Sequence, residues 1–217
     1  MSVQQISVVQ PILAGNDAIA AHNRCRLQQA GVLAINIMAA PGSGKTSLII
    51  KTIAQLKGRA RIGVIEGDIA GAIDTEKVLA AGADQAYQIN TGGGCHLEAA
   101  MVRQALDHFK LEALDLLFVE NVGNLVCPTQ WALGEAIKLC VLSTAEGHDK
   151  PIKYPELFRV SDVIVLNKID LIEVVDFERA SFYAAVQALN PRAPIFEVSC
   201  RNGEGLTTWT EWLLAQR

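Results

Sequence analysis

The segment from Glu120 to Pro128, with the sequence ENVGNLVCP, brings two kinds of potential ligand close together. Glu120 and Gly123 end an apolar run, and a carboxylate followed by a glycine at this spacing is typical of segments that handle a magnesium-bound phosphate. Cys127 follows four residues after Gly123, and a thiolate suits Zn²⁺ or Ni²⁺ rather than Mg²⁺. The segment raises the hypothesis that one loop connects phosphate binding with transition-metal binding.

The segment AAPGSGKTS, residues 39–47, is typical of a phosphate-binding loop because it follows a predicted strand and opens a predicted helix. Its glycines let backbone N–H groups surround phosphates, and the helix N-terminus adds positive potential. Lys45 is expected to reach the β- and γ-phosphates, and the Thr46 hydroxyl to bind Mg²⁺. Ala39 replaces the first glycine of the usual pattern, at a position that donates no side chain. The predicted nucleotide-binding residues here are Gly42, Ser43, Gly44, Lys45, Thr46 and Ser47.

The segment LNKID supplies Asn167, Lys168 and Asp170 after another strong apolar run, a spacing that GTPases use to read guanine. A carboxylate at the Asp170 position accepts hydrogen bonds from the guanine N1–H and 2-amino group, a donor pair that adenine lacks. This pattern alone also occurs in surface turns, but after a phosphate loop it favours GTP over ATP. Ser199 and Cys200 follow the last predicted strand, where GTPases place a base-contacting loop.

Mg²⁺ needs oxygen ligands beyond Thr46 and the phosphates. Asp68 and Glu120, each at a predicted strand end, are the favoured carboxylates, together with backbone contact from Gly123 to a γ-phosphate; Glu66 and Asp74 are less certain candidates. Asn124 stands where many GTPases have a water-orienting glutamine, so we expect slow hydrolysis with Asp68 positioning the water. The predicted catalytic residues are Lys45, Asp68 and Glu120, and the predicted magnesium ligands are Thr46, Asp68 and Glu120.

Cys95 and His96 are adjacent and Cys127 lies further along the chain. Two thiolates and an imidazole suit Zn²⁺ or Ni²⁺, and a helix predicted to begin at Cys95 would favour its thiolate form. The spacing is not a zinc-finger pattern, however, and buried structural cysteines are common. From the residues alone, metal binding and a structural role both remain open.

The elements that must position these residues alternate along the chain. Seven short apolar runs read as strands, and helical patterns separate many of them. The pattern predicts one α/β domain over residues 1–217, with a mostly parallel central sheet flanked by helices and an extra N-terminal helix over about residues 1–31. Ligands of such sheets bind at the carboxyl ends of the strands, where every candidate residue above is expected.

The composition and net charge argue against a nucleic-acid-binding, exported or membrane-spanning protein. A net charge of −4 gives no general attraction to nucleic acid, and five cysteines without a recognisable export signal favour a reduced, cytoplasmic protein. No apolar run is long enough to cross a membrane.

Six segments, taken in order, resemble the HypB family of nickel-incorporation GTPases, which act in the maturation of nickel–iron hydrogenases. They are PGSGKTSL, IEGDIA, QINTGGGCHLEAAMV, LLFVENVGNLVCP, LSTAEGHDKPIKYPELF and VIVLNKIDL. The resemblance implies a P-loop NTPase fold of the SIMIBI class, slow GTP hydrolysis, and a Ni²⁺ or Zn²⁺ site of Cys95, His96 and Cys127 at the interface of a GTP-promoted homodimer. It also implies a HypA-like metallochaperone and a hydrogenase large-subunit precursor as partners. The nickel-binding cysteine motif and the histidine-rich tract that some members carry near the N-terminus do not occur here.

Three other functions fit parts of the pattern. A urease-maturation GTPase would carry a Cys-Pro-His metal motif, whereas Cys95 and His96 are adjacent here. A small-molecule kinase would explain the phosphate loop but not the guanine-reading motif. A metal-storage protein with a vestigial nucleotide fold would bind metal without turnover. The short connection from Gly123 to Cys127, at most ~14 Å when extended, leads us to expect that nucleotide state controls the metal site.

Overall fold

The computed structural model describes residues 9–69, 71 and 73–217, with the backbone alone for residues 9–11. The first part of the predicted N-terminal helix, residues 1–8, lies outside the described residues.

The described residues form one sheet of seven parallel strands, which confirms the predicted α/β architecture and all seven apolar runs. The strands are mostly buried because helices cover both faces of the sheet. Their order across the sheet is β3-β2-β4-β1-β5-β6-β7. Their bounds are β1 Leu33–Met38, β2 Ile62–Asp68, β3 Gln85–Asn90, β4 Leu116–Glu120, β5 Ile137–Ser143, β6 Val163–Asn167 and β7 Ile195–Val198.

Eight α-helices lie in the described part of the chain: α1 Val9–Gln29, α2 Lys45–Leu56, α3 Ile73–Ala80, α4 Ala99–Leu106, α5 Lys150–Lys153, α6 Pro155–Val160, α7 Arg179–Leu189 and α8 Leu206–Leu214. None of them combines the length and apolar character needed to cross a bilayer. The N-terminal helix α1 is present from Val9 and packs on α4.

Alternation along the strands divides the core into two layers. In β1, Ile35 and Ile37 face α2, α3 and α8 in one layer, which includes the fully buried Trp209. Ala34 and Met38 face the opposite side, where α1 and α4 cover one half of the sheet and α6 and α7 cover the other. Since all strands are parallel, their carboxyl ends share one edge, and the candidate residues follow those ends.

Candidate functional site

A cleft of about 720 Å³ lies at the carboxyl ends of the strands. Most of the residues predicted to bind nucleotide and magnesium line it. A second pocket of about 390 Å³ adjoins it and shares Gly44, Ser47 and Lys168 with it. The cleft is lined by Gly42, Gly44, Lys45, Thr46, Ser47, Asp68, Glu120, Gly123 and Lys168, and the second pocket adds Asn167, Asp170 and Cys200. Ser43 and Ser199 are fully buried behind these walls.

The phosphate loop takes its shape from glycine backbone and from contacts with the guanine-reading segment. Gly44 has φ 97°, and a Cβ there would lie 2.3 Å from Nδ2 of Asn167, so this position requires glycine. Asn167 Nδ2 donates to the Ser43 carbonyl at 3.0 Å, and Lys168 Nζ donates to the Gly42 carbonyl at 2.7 Å. Ser43 therefore contributes backbone, since its hydroxyl is buried away from the cleft.

Glu120 is the centre of a small polar cluster at the end of β4. Its Oε1 accepts a hydrogen bond from the Thr46 hydroxyl at 3.1 Å and lies 3.8 Å from Nζ of Lys45. Lys45 Nζ also lies within 3.5 Å of the Ala40 carbonyl. This arrangement brings together three of the residues predicted to handle magnesium and phosphate.

A second carboxylate, Glu66, lies beside Glu120 because the two residues are paired in the β2–β4 register. Both side chains are buried. Burial raises the pKa of Glu66, and the charge of Glu120 raises it further. Burial also raises the pKa of Glu120, while Lys45, Glu66 and Thr46 hold it lower. Among the described residues, Oε1 of Glu66 and Oε2 of Glu120 have no hydrogen-bond partner, so two buried oxygens beside Thr46 fit a hard divalent cation.

The remaining carboxylates lie at the rim of the cleft. Asp68 is exposed, and its Oδ1 accepts a hydrogen bond from the N–H of Ile69 at 2.7 Å. Asp74 forms an ion pair with Lys77 at 2.8 Å. Asp68 is therefore open to solvent and to whatever occupies the cleft, whereas Glu66 is the buried ligand candidate that the sequence left uncertain.

Gly123 lies directly against the phosphate loop. A side-chain carbon added there would come within 2.9 Å of Cγ and 3.0 Å of N of Pro41. This close approach places the backbone after β4 at the phosphate end of the cleft.

In the second pocket, protein groups already hold the base-reading residues in place. Asp170 Oδ1 accepts a hydrogen bond from the Ser199 hydroxyl at 2.7 Å, and Asn167 Oδ1 accepts the N–H groups of Lys168 and Cys200. Lys168 has φ 62°, and its carbonyl accepts the Thr144 hydroxyl. Burial raises the pKa of Cys200 to about 11, so its thiol is protonated at neutral pH.

The three predicted transition-metal ligands form one cluster. Cys95, His96 and Cys127 offer ligand atoms that all lie within 4.8 Å of one another, on loops that follow β3 and β4. Cys95 Sγ lies 3.6 Å from Nδ1 of His96. The His96 ring stacks on Trp131, with centroids 4.5 Å apart. This donor set of two sulfurs and one imidazole can hold Zn²⁺ or Ni²⁺.

One sequence-based expectation about this cluster is wrong. The helix predicted to begin at Cys95 begins at Ala99, because Leu97 N–H donates to Oδ1 of Asn121 at 3.0 Å and Glu98 is extended. Cys95 therefore lies in a bend before the helix and gains no helix N-terminus, and its hydrogen bond with Cys127 raises its pKa.

Asn124, which the sequence marked only as a substitute for glutamine, connects the two ligand loops. Its Nδ2 donates to the Cys95 carbonyl at 3.3 Å, and its Oδ1 accepts the N–H groups of Val126 and Cys127 at 2.8 and 3.4 Å. Since Asn124 follows Gly123 directly, the residue that bonds both metal-ligand loops is the chain neighbour of the glycine at the phosphate end of the cleft.

Residues 33–197 match the model of the CobW/HypB/UreG nucleotide-binding domain family. The chain is 48% identical over 208 residues to the hydrogenase maturation factor HypB of Rhizobium leguminosarum bv. viciae, covering 96% of this chain and 69% of that protein. It is 40% identical to HypB of Escherichia coli K12, covering 99% of this chain and 73% of the relative.

Two solved structures are similar in fold and sequence. The structure of HypB from Archaeoglobus fulgidus superposes with a TM-score of 0.86 at 41% identity, over 93% of this chain and 98% of that one. The structure of HypB from Helicobacter pylori in complex with nickel has a TM-score of 0.89 at 38% identity, over 93% and 94% of the two chains.

Proposed function

Since the chain belongs to the CobW/HypB/UreG family and, within it, to the hydrogenase maturation factors HypB, we propose that it is a GTPase that carries nickel and whose nucleotide state controls nickel binding. One observation carries this proposal. A single short segment contributes Glu120 to the nucleotide cleft and Cys127 to the metal cluster.

The nucleotide is GTP. Asp170 lines the second pocket with one carboxylate oxygen held by Ser199, and this leaves acceptor capacity for the guanine N1–H and 2-amino group. Asn167 and Lys168 hold the phosphate loop in place through hydrogen bonds to the carbonyls of Ser43 and Gly42. GTP binding then uses residues 42–47 for the phosphates, as in other phosphate loops.

Hydrolysis depends on residues at the cleft. Lys45 neutralises phosphate charge, and Thr46 with Glu120 and Glu66 offers oxygens to magnesium, which when bound polarises the β- and γ-phosphates. Asp68, exposed at the rim, orients the attacking water by accepting its proton or a hydrogen bond. Asn124 does not serve this purpose because it bonds the metal-ligand loops. Asp68→Asn therefore lowers turnover by ~10²-fold or more while GDP affinity stays unchanged.

Nickel is the cargo. The solved H. pylori relative at 38% identity was obtained in complex with nickel, and Cys95, His96 and Cys127 form the matching type of donor set here. Three protein ligands leave further coordination positions, which water or a second copy of the chain fills. A homodimer promoted by GTP would bring two such clusters together. The thiol ligands must be reduced, which fits a protein of the cytoplasm.

The segment after β4 couples nucleotide binding to nickel binding. When a γ-phosphate draws Gly123, Asn124 moves with it, and its bonds shift the Cys95 loop and Cys127 together. GTP binding thus assembles or reshapes the metal site, and hydrolysis releases the ion for transfer. The recipients are a HypA-like metallochaperone and the precursor of a hydrogenase large subunit, as membership of the maturation factors favours.

The test is a nickel titration of the full chain with GDP and with a non-hydrolysable GTP analogue. Cys127→Ala should abolish the nucleotide effect on nickel affinity and leave GTP affinity intact. Cys25→Ala is the matched control, because this thiol is exposed on α1. Mass measurement of the same samples reports dimer formation. Equal nickel affinity in both nucleotide states of the unmodified chain would refute the coupling.

A further inference from the structure

Helix α1 is attached to the rest of the molecule through two asparagines that a helix interior does not favour. Asn16 and Asn23 lie well inside α1, where an asparagine side chain competes with helical backbone hydrogen bonds. Both are buried, with 7% and 0% exposure. Their position therefore requires partners outside the helix. Among the described residues, three of the four side-chain polar atoms have such partners, and Oδ1 of Asn23 has none.

Both asparagines bond to the start of α4. Asn16 Oδ1 accepts the N–H of Ala99 at 2.8 Å, and Asn23 Nδ2 donates to the Ala99 carbonyl at 2.9 Å. Ala99 is the first residue of α4, and Glu98 before it provides no side-chain cap. The amide of Asn16 thus satisfies a helix N–H that would otherwise lack a partner, and it does so three residues after His96.

The same two side chains also hold the segment that follows Cys127. Asn16 Nδ2 donates to the Ala132 carbonyl at 2.8 Å, and Asn23 Nδ2 donates to the Leu133 carbonyl at 2.9 Å. Ala132 directly follows Trp131, whose ring covers His96. Each asparagine therefore joins the two metal-ligand loops.

Close packing of the backbone reinforces these bonds. Gly134 has φ 105°, and a Cβ there would lie 2.5 Å from Cβ of Asn23 and 2.9 Å from the carbonyl oxygen of Ala20. The loop after Trp131 consequently lies against α1 without an intervening side chain. This contact leaves little room for the loop to move unless α1 moves too.

We propose that Asn16 and Asn23 are positioning residues of the metal cluster, which set the separation between the loop of Cys95 and His96 and the loop of Cys127. The inference rests on the proposed nickel site. It assigns α1 a role in metal affinity rather than in nucleotide binding, because neither asparagine is among the described residues that line the cleft or the second pocket. Movement of α1 would change the geometry of the donors without touching them.

The test compares Asn16→Ala and Asn23→Ala with two α1 variants in the full chain, using Ni²⁺ alone as the probe. Leu27→Ala removes a buried apolar side chain from the same helix and loses stability without losing these bonds. Gln28→Ala changes an exposed position. Nickel affinity by competition with a chelator, the sulfur-to-nickel charge-transfer absorption and GDP affinity are measured for each.

Both asparagine variants should lose ~10- to 100-fold in nickel affinity, as for other residues that orient metal ligands, with an altered charge-transfer band and unchanged GDP affinity. Asn16→Asp keeps the acceptor for Ala99 N–H and loses the donor to Ala132, so its loss should be intermediate. Leu27→Ala and Gln28→Ala should bind nickel like the unmodified chain. Normal nickel binding by both asparagine variants, or an equal loss in Leu27→Ala, overturns the inference. Absence of nickel binding in the unmodified chain refutes the proposed function itself.

Discussion

The polar groups of two regions differ in whether they have hydrogen-bond partners. The first is the base-reading region, formed by the segments that follow β5, β6 and β7; the second follows β2, β3 and β4. In the first, Asn167 forms three hydrogen bonds and Asp170 is held by Ser199. In the second, buried atoms of Glu66, Glu120 and His96 lack hydrogen-bond partners among the described residues. Elsewhere among the described residues, Oε2 of Glu146 on the base-reading side, Oγ of Ser43 in the phosphate loop and Oδ1 of Asn23 in α1 also lack partners.

This difference in hydrogen bonding indicates how each region binds its ligand. Groups that the protein already satisfies are rigid and bind a base by shape and hydrogen-bond pattern, with little rearrangement. Groups that the protein leaves unsatisfied gain most from an ion, since an unpartnered buried polar atom costs about 1–3 kcal/mol. In the proposed function, the first region therefore selects the nucleotide, and the second responds to the phosphates and cations that arrive with it.

The largest effect is expected in the preformed region. Asp170→Asn replaces one of the two acceptor oxygens with an NH2 donor, so the side chain no longer accepts from both the guanine N1–H and the 2-amino group, and GTP affinity should fall by ~10²-fold or more. Xanthine carries an oxygen where guanine has its 2-amino group, so affinity for xanthosine triphosphate should rise in the same variant. Glu173→Gln, an exposed carboxylate in the adjoining turn, is the control. Unchanged preference for guanine would show that Asp170 does not read the base.

The next effect belongs to the ion-dependent region. Asn124→Ala removes the hydrogen bonds that join the Cys95 carbonyl to the N–H groups of Val126 and Cys127, and nickel affinity should fall ~10-fold or more. Asn202→Ala is a matched control, because Asn202 shapes the base-reading loop through Glu204 N–H. Isothermal titration with nickel separates the two variants. A similar loss in both would make the effect non-specific.

A smaller effect concerns stability. The pKa of Glu66 is raised by burial and by Glu120, so its contribution to folding is fully present below the unfolded pKa and is lost as pH rises towards the folded value. Glu66→Gln should remove this slope and stabilise the nucleotide-free and magnesium-free protein at pH ~9 by about 1–2 kcal/mol, with little change at pH ~5. Urea unfolding at both pH values measures this, and exposed Glu76→Gln should retain the slope.

The smallest effect lies at the opposite edge of the sheet, where Asp115 forms ion pairs with Arg61 and Arg217. Hydrogen bonds from Arg61, with a contribution from Arg217, lower the pKa of Asp115 to about 2. Its stabilising effect is present above the unfolded pKa and disappears as pH falls through the folded value. Asp115→Asn should cost about 1 kcal/mol at neutral pH and almost nothing near pH 2. Asp107→Asn, in a more exposed pair, should cost less; a pH-independent loss would contradict the assignment.

Local patterns were sufficient for the strands and the nucleotide motifs. The five inner strands are short, mostly buried apolar runs, so their signal lies within a few residues. The phosphate loop and the LNKID segment carry their chemistry in consecutive residues, and the structure places both at the cleft.

Features set by distant contacts were not predictable. The start of α4 depends on Asn121, whose Oδ1 accepts a hydrogen bond from the N–H of Leu97. No local sequence pattern reveals that bond. Glu66 becomes a buried ligand candidate only because the strand register sets it beside Glu120. Asn16 could have been noticed as a polar residue inside an otherwise helical segment, yet its partners lie 83 and 116 residues away.

Reciprocal titration gives the sharpest test of communication between the phosphates and the metal cluster. Thermodynamic linkage requires that, if the GTP analogue changes nickel affinity by some factor, nickel changes the affinity for the GTP analogue by the same factor. We expect matching factors well above one for the GTP analogue and a factor near one for GDP. Affinity for the GTP analogue that stays the same in nickel-free and nickel-loaded protein would show that the segment from Glu120 to Cys127 binds two ligands independently.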